Sequence, residues 1–310
     1  MDRSLTATAA SGDRPAPSAP APTRWARRLL CGLLAVACGW SQAAAPVPIR
    51  GVDVSSLDQI EKAGAVFRSA KGAPADPLRL MKDAGVNWVR LRLWVHPVNR
   101  EDVVVKGRLL SRKGEPAGGG NNDLQTTLRL AQRAHTLGLK ILLDFHYSDF
   151  WADPEHQTKP AAWAELSGRE LEQAVYKHTR SALQALREAG AYPNMVQIGN
   201  EIDHGMLWPD GQIDQPPSRR GESLPATVGG FDGLAALLKA GAKAVRDTDP
   251  RQGADGDTRI ALHLASGSGL RRFFDAMRDR GVPFDVIGLS YYPQYNTSKQ
   301  ELSGMLSAAV

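Results

Sequence analysis

From Gly51 onward the chain alternates short apolar runs with longer stretches of helical period, and it does so six times. Strands separated by helices return to the same end of a sheet and lie parallel, so the rhythm predicts a parallel α/β fold. The strand candidates are Gly51 to Val54, Asn87 to Val95, Lys140 to His146, Met195 to Glu201, Arg259 to Leu264 and Asp285 to Ser290. Pro77 to Ala84, Leu124 to Leu137, Glu170 to Ala189, Leu234 to Arg246 and Arg271 to Arg280 have the apolar spacing of helices, with a further helix beginning near Ser298. Gly85, Gly138, Gly190 and Gly281 stand just past four of them, where a left-handed residue ends a helix. The fold class expected is α/β, a (β/α)8 TIM barrel of which about six βα units are present, since a closed barrel would need roughly 60 to 90 residues more. An open six-stranded sheet leaves its first and sixth strands with unpaired edges.

Two segments interrupt the rhythm. Gly114 to Gly120 reads as a solvent loop, and His204 to Gly230, with its Pro216-Pro217 pair and Trp208, follows the fourth strand on the side where substrate would sit. No repeat and no second folded domain is visible.

Residues 1–45 read as a leader preceding a domain over 46–310. Arg24, Arg27 and Arg28 come before the apolar run Leu29 to Trp40, and Ala43, Ala44 and Ala45 follow it, the layout of a secretory signal. The run is shorter than the roughly 20 residues a membrane span needs. Export to the periplasm or the medium is expected, and Leu34-Ala35-Val36-Ala37-Cys38 resembles a lipoprotein box with Cys38 as the anchor. Cys31 and Cys38 are the only cysteines, so the domain has no disulfide, zinc-thiolate site or thiol nucleophile. Loss of the leader would lower the formal charge from +5 to +2, which removes the case for a nucleic-acid partner.

Barrel enzymes carry their chemistry at the C-terminal ends of the strands. Those ends read, in order, Asp53 and Ser55; Arg90, Arg92 and Trp94; Asp144 and His146; Asn200 and Glu201; His263; Ser290, Tyr291 and Tyr292. Arg90 and Arg92 share one face of their strand, and an inward arginine needs a carboxylate, which makes Asp53 and Asp144 candidate partners. An acid beside an asparagine suits glycoside hydrolysis: Glu201 would protonate the departing oxygen while Asn200 holds the sugar's 2-hydroxyl. That acid needs its pKa raised by burial or a neighbouring carboxylate. Trp94, Trp151, Trp208, Tyr147, Tyr291 and Tyr292 lie at or after strand ends, where aromatic faces can stack on sugars. Trp151 and Trp208, in polar loops with Asp149, Asp153 and Asp210, are the favoured platforms, while Trp88 and Trp163 fit core packing. A metal-dependent hydrolase using Asp144, His146, His263 and Glu201 is a rival reading, weakened because the first strand offers Asp53-Val54-Ser55 rather than a His-x-His pair. His146 and His263 more naturally donate hydrogen bonds, and no metal or other cofactor is expected.

The blocks Gly51-Val52-Asp53-Val54-Ser55-Ser56, Trp88 to Val95, Leu143 to Pro154, Gln197 to Ile202, Gly205 to Pro209 and Gly288 to Pro293 resemble, in order, those of glycoside hydrolase family 53, secreted endo-β-1,4-galactanases acting on pectic arabinogalactan. The resemblance covers residues 51 to about 295. It implies a barrel that retains anomeric configuration with two glutamates. Glu201 matches the acid/base and Asn200 the residue binding the 2-hydroxyl, while Arg92, ahead of Arg90, matches the arginine that keeps the nucleophile ionised. His263 and Tyr292 match hydrogen-bonding neighbours, and Trp151 a sugar platform. Asp53, His146, Asp153 and Trp208 complete the expected substrate site, for a monomer whose partner is a β-1,4-galactan polysaccharide. The family's nucleophile ends a seventh strand, and neither Glu222 nor Glu301 is expected to replace it. The expectations are therefore a galactanase lacking its nucleophile as given or, alternatively, a galactan-binding relic whose affinity depends on Trp151.

Overall fold

The computed structural model describes residues 48–219, 221–224, 228–251, 257–294 and 298–308, so the leader with Cys31 and Cys38 lies outside the described residues. Six parallel strands pair in chain order: β1 (Gly51–Asp53), β2 (Trp88–Leu93), β3 (Lys140–Phe145), β4 (Met195–Ile198), β5 (Arg259–Leu264) and β6 (Val286–Leu289). Helices α1 (Leu57–Lys62), α2 (Pro77–Asp83), α3 (Leu124–Thr136), α4 (Gly168–Glu188), α5 (Gly230–Thr248), α6 (Leu270–Asp279) and α7 (Lys299–Ala308) connect and follow them. This is six strands of a (β/α)8 barrel. Among the described residues β1 and β6 each pair on one side only, and both are less covered than β4, which is buried along its length.

The strands form because each alternates residues for two different environments. Val89, Leu91 and Leu93 of β2, Ile141, Leu143 and Phe145 of β3, and Ile260, Leu262 and Leu264 of β5 are buried in the core shared with the helices. Burial of each such side chain stabilises the fold by about 1.5–3 kcal/mol. The opposite face lines the barrel interior and changes character along its axis. Trp88, Met195 and Ala261, with Leu142 and Val286, make an apolar plug at the bottom. One residue pair further along, register aligns Arg90, Leu142 and Met195 across β2 to β4, and two residues later Arg92, Asp144 and Gln197. The interior therefore turns polar towards the C-terminal ends.

Local chemistry fixes the helix ends. Asp76 caps α2 by accepting from Leu78 N and Arg79 N, with Pro77 in the first turn, and Asp123 caps α3 by accepting from Thr126 N. Gly85, Gly138, Gly190 and Gly281 all have positive φ, and each is followed by an amide that bonds back into the last turn, as in Val86 N to Met81 O. The sequence reading missed α1 and two small antiparallel hairpins, Val103–Val105 with Arg108–Ser111 and Gly205–Met206 with Gly211–Gln212. These strands of two to four residues are too short to show a period.

The stretch Gly114 to Gly120 corrects the sequence reading. Its distal end is no free solvent loop: Gly120 is buried and donates to Gln59 Oε1, and a Cβ on Gly119 would stand 3.0 Å from the Trp94 ring and 3.2 Å from Trp151 Nε1. Only glycine lets this backbone close over the two indoles, with φ +61° at Gly119.

Candidate active site

Arg90 is the hub of the polar interior. Its guanidinium lies 2.9 Å from Asp53 Oδ2 and 2.7 Å from Asp144 Oδ2, and it donates to Asn200 Oδ1 at 2.8 Å. Asp144 has no solvent exposure and also accepts from His146 Nε2 at 3.0 Å and Gln197 Nε2 at 2.7 Å. Burial alone would raise the Asp144 carboxyl, but Arg90 and its other donors hold it below the usual carboxylate range. His146 Nδ1 accepts from Ala152 N at 3.0 Å, which fixes the ring's proton on Nε2, facing Asp144. Both His146 nitrogens are thus engaged, and among the described residues no group of three or more His, Asp or Glu is arranged to hold a metal.

Arg92 is separated from that hub. Its guanidinium carbon sits 4.2 Å from the centre of the Trp151 ring, and Nη2 donates to Ser56 Oγ at 3.2 Å and lies 3.8 Å from Asp53. Arg90, rather than Arg92, contacts the groups around Glu201.

Strand β4 stops at Ile198, three residues earlier than its apolar pattern suggests, because Gly199 and Glu201 turn left-handed at φ +83° and +50°. A left-handed glutamate is sparsely populated, and such strain persists where its surroundings over-determine it. Here Gln157 supplies that constraint: its buried Nε2 donates to Asp153 O, Asn200 O and Glu201 O. Asn200 is locked as well, with Nδ2 donating to Ala152 O at 2.7 Å and Oδ1 facing Arg90, Gln197 and His263. One amide hydrogen of Asn200 is left for a hydroxyl.

The Glu201 carboxylate accepts from Ser290 Oγ at 2.6 Å. Burial pushes its pKa up, Asp203 and Asp153 push the same way, and Ser290 and Arg90 oppose them. His263 is pushed down to about 4, by burial first and by Arg90 next, so it is neutral at pH 7. A carboxyl held towards its protonated form beside a neutral imidazole can act as a general acid.

The aromatic groups divide. Trp151 is 40% exposed and Phe150 43%, so each presents surface to a ligand, whereas Trp94 at 0% and Tyr147 at 1% are buried and cannot stack on a sugar. Tyr147 instead bonds Thr179, and Trp94 supports Phe150 and Trp151 from below. Trp88 and Trp163 are buried, as core packing requires. A groove of about 780 Å³ runs beside Trp151 and is lined by Phe150, Arg100, Asp149, Asp153 and His156. Trp208 is partly buried, donating Nε1–H to His204 O, with its backbone bridged to Thr158. Tyr292 is 52% exposed, and Glu222 and Glu301 are exposed too, Glu301 capping its own helix. Gln157 and Gln197 join the site without having been singled out as site residues, and Ser290, read at its strand end without a role, proves to bond Glu201.

Six parallel strands of a (β/α)8 barrel, with an asparagine and a partly buried glutamate just after the fourth, fit the class of barrel glycoside hydrolases. The chain belongs to glycosyl hydrolase family 53, whose model matches residues 49–310. It is 34% identical to a Bacillus subtilis endo-beta-1,4-galactanase over 84% of this chain and 53% of that protein. Among solved structures it resembles the family 53 catalytic domain from Ignisphaera aggregans, at 38% identity and TM-score 0.71 over 86% of this chain and 66% of that one. A fungal beta-1,4-galactanase follows at 31% identity and TM-score 0.65, over 85% and 69% of the two chains. The chain spans about half to two thirds of the length of the curated relatives it matches.

Proposed function

We propose that this chain is part of an exported endo-β-1,4-galactanase that hydrolyses internal bonds of galactan and arabinogalactan with retention of configuration. The observation that carries this is the placement of Glu201, a partly buried carboxyl beside Asn200 just past β4, bonded to Ser290 and with its pKa raised, by burial first. The galactanases among its relatives support the substrate. In this mechanism Glu201 protonates the departing glycosidic oxygen, then as a carboxylate draws a proton from the incoming water. Asn200 holds the 2-hydroxyl through its spare amide hydrogen, and Trp151 carries a sugar ring. The nucleophile, required about 5–5.5 Å from the acid, would come from a seventh strand, and within residues 46–310 alone turnover is expected to be negligible. Residues 1–45 serve export, and the enzyme works as a monomer.

The test is hydrolysis of linear β-1,4-galactan by the full-length gene product, with the anomeric form of new reducing ends followed by NMR. Initial β-anomers and a loss of about a thousandfold or more in Glu201→Gln support the proposal. Initial α-anomers would exclude retention, and an unchanged rate in Glu201→Gln would remove Glu201 from the mechanism.

A further inference from the structure

The hydrogen bonds around Glu201 close into a ring. Glu201 N–H donates to His263 Nδ1 at 3.3 Å, His263 Nε2 and Ser290 Oγ are 3.2 Å apart, and Ser290 Oγ–H donates to Glu201 Oε1 at 2.6 Å. The path runs from the backbone amide of the acid, through an imidazole and a hydroxyl, back to its own carboxylate. The neutral ring has one N–H to place. On Nε2 it serves Ser290 while Nδ1 accepts from the Glu201 amide; on Nδ1 it would serve Asn200 Oδ1, which already accepts from Arg90 at 2.8 Å and Gln197 at 3.3 Å.

We propose that Ser290 is a positioning residue for Glu201, holding Oε1 with its hydroxyl so that Oε2 alone carries the proton exchanged with substrate, an assignment that rests on Glu201 being the acid/base. A retaining acid/base must work in two charge states, and a hydroxyl is compatible with both. When Glu201 is ionised, Ser290 O–H donates to Oε1. When Glu201 is protonated on Oε2, Oε1 is the carbonyl oxygen and accepts the same bond. Ser290 follows β6 directly, its amide bonded to Leu264 O, so the donor is mounted on the sheet rather than on a free loop. The other charged groups facing Glu201 are Asp203 and Asp153, which raise its pKa, and Arg90, which lowers it. None of them is hydrogen-bonded to its carboxylate oxygens.

Ser290→Ala and Ser290→Thr in the full-length protein test this against two substrates, galactan and an activated aryl β-galactobioside whose leaving group needs no proton. Ser290→Ala is expected to lower kcat on galactan roughly tenfold or more with KM nearly unchanged, while kcat/KM for aryl release, which reports only the glycosylation step, changes by less than about twofold. Removing a donor from the carboxylate favours the acid form, so the alkaline limb of kcat/KM moves to higher pH, and Ser290→Thr restores both rate and profile. A general loosening that admitted water would move that limb to lower pH and slow both substrates equally, and that result overturns the proposal. Carboxyl ¹³C NMR of Glu201 gives a readout without turnover: its titration moves to higher pH in Ser290→Ala, and an unmoved titration also overturns the proposal. Should the wild type cleave no galactan while this titration still moves, the functional assignment fails and the Ser290 contact stands.

Discussion

Replacing Asp144 by Asn should destabilise the protein by about 3–5 kcal/mol, the usual cost of breaking a buried ion pair from one side. Asp144 is fully buried and receives three donors: Arg90 Nη2 and His146 Nε2 on Oδ2, and Gln197 Nε2 on Oδ1. An asparagine amide would turn its NH2 towards either Arg90 and His146 or Gln197, so in each orientation hydrogen faces hydrogen. Gln197 cannot relieve this by flipping, because its Nε2 also donates to Gly199 O. Arg90 would be left with Asp53, whose side chain is 32% exposed, and the matching Asp53→Asn should cost less than about 1 kcal/mol because water can replace that partner. Equilibrium unfolding in urea, with a double-mutant cycle against Arg90→Met, measures both. A loss in Asp144→Asn below about 1 kcal/mol, or a larger loss in Asp53→Asn, would refute the view that the buried carboxylate holds the site together. Since the folded pKa of Asp144 lies below its unfolded value, its contribution is present above the unfolded pKa and disappears as pH falls through the folded one.

His178, caged by Phe145, Tyr147 and Trp163, is pushed down to about 4 by burial. Its stability contribution is therefore lost as pH falls from about 6.5 towards 4, reaching about 3 kcal/mol at the limit. His178→Phe should show less acid loss than the wild type in urea melts between those pH values, and identical pH dependence of the two would count against this. Trp151→Ala should weaken galacto-oligosaccharide binding by about 1–2 kcal/mol, read by calorimetry on the Glu201→Gln background. Trp94→Phe should leave affinity nearly unchanged, because Trp94 has no exposed face; the reverse order would exclude Trp151 as the platform.

Strand positions were legible because Val89-Arg90-Leu91-Arg92-Leu93 and its counterparts alternate between a helix-packed face and a lumen, a contrast that the sequence carries in full. The expectation of an Asp53 or Asp144 partner for the inward arginines follows from the same alternation, and Arg90 bonds both. What was not legible depends on tertiary closure. Trp94 and Trp151 look alike as tryptophans near strand ends, and only tertiary packing, which sets His146, Phe150 and Trp151 around Trp94, separates the buried one from the exposed one. Gln197 is an unremarkable polar residue until register sets it beside Asp144, and Ser290, legible as a strand-end residue, shows its partner only when β6 brings it to Glu201. Gln157 lies in a loop with no periodicity at all, yet it fixes the left-handed turn that aims Glu201.

The direct polar contacts of Glu201 come from its own turn, from Gln157, from His263 at β5 and from Ser290 after β6. Burial supplies the largest push on its pKa, and the two nearest like charges, Asp203 and Asp153, also belong to residues 153–203. The groups that set its protonation therefore lie within residues 90–290, Arg90 on a paired strand and Asp153, Asp203 and Ser290 in the segments that follow paired strands. A nucleophile arriving from another strand would add one more negative charge near Glu201 and raise its pKa further until the glycosyl bond forms, then release that push once the carboxylate is esterified. In the proposed mechanism the surroundings of Glu201 are set by this chain's own residues, and the charge of a nucleophile would serve to switch Glu201 from acid to base between the two steps.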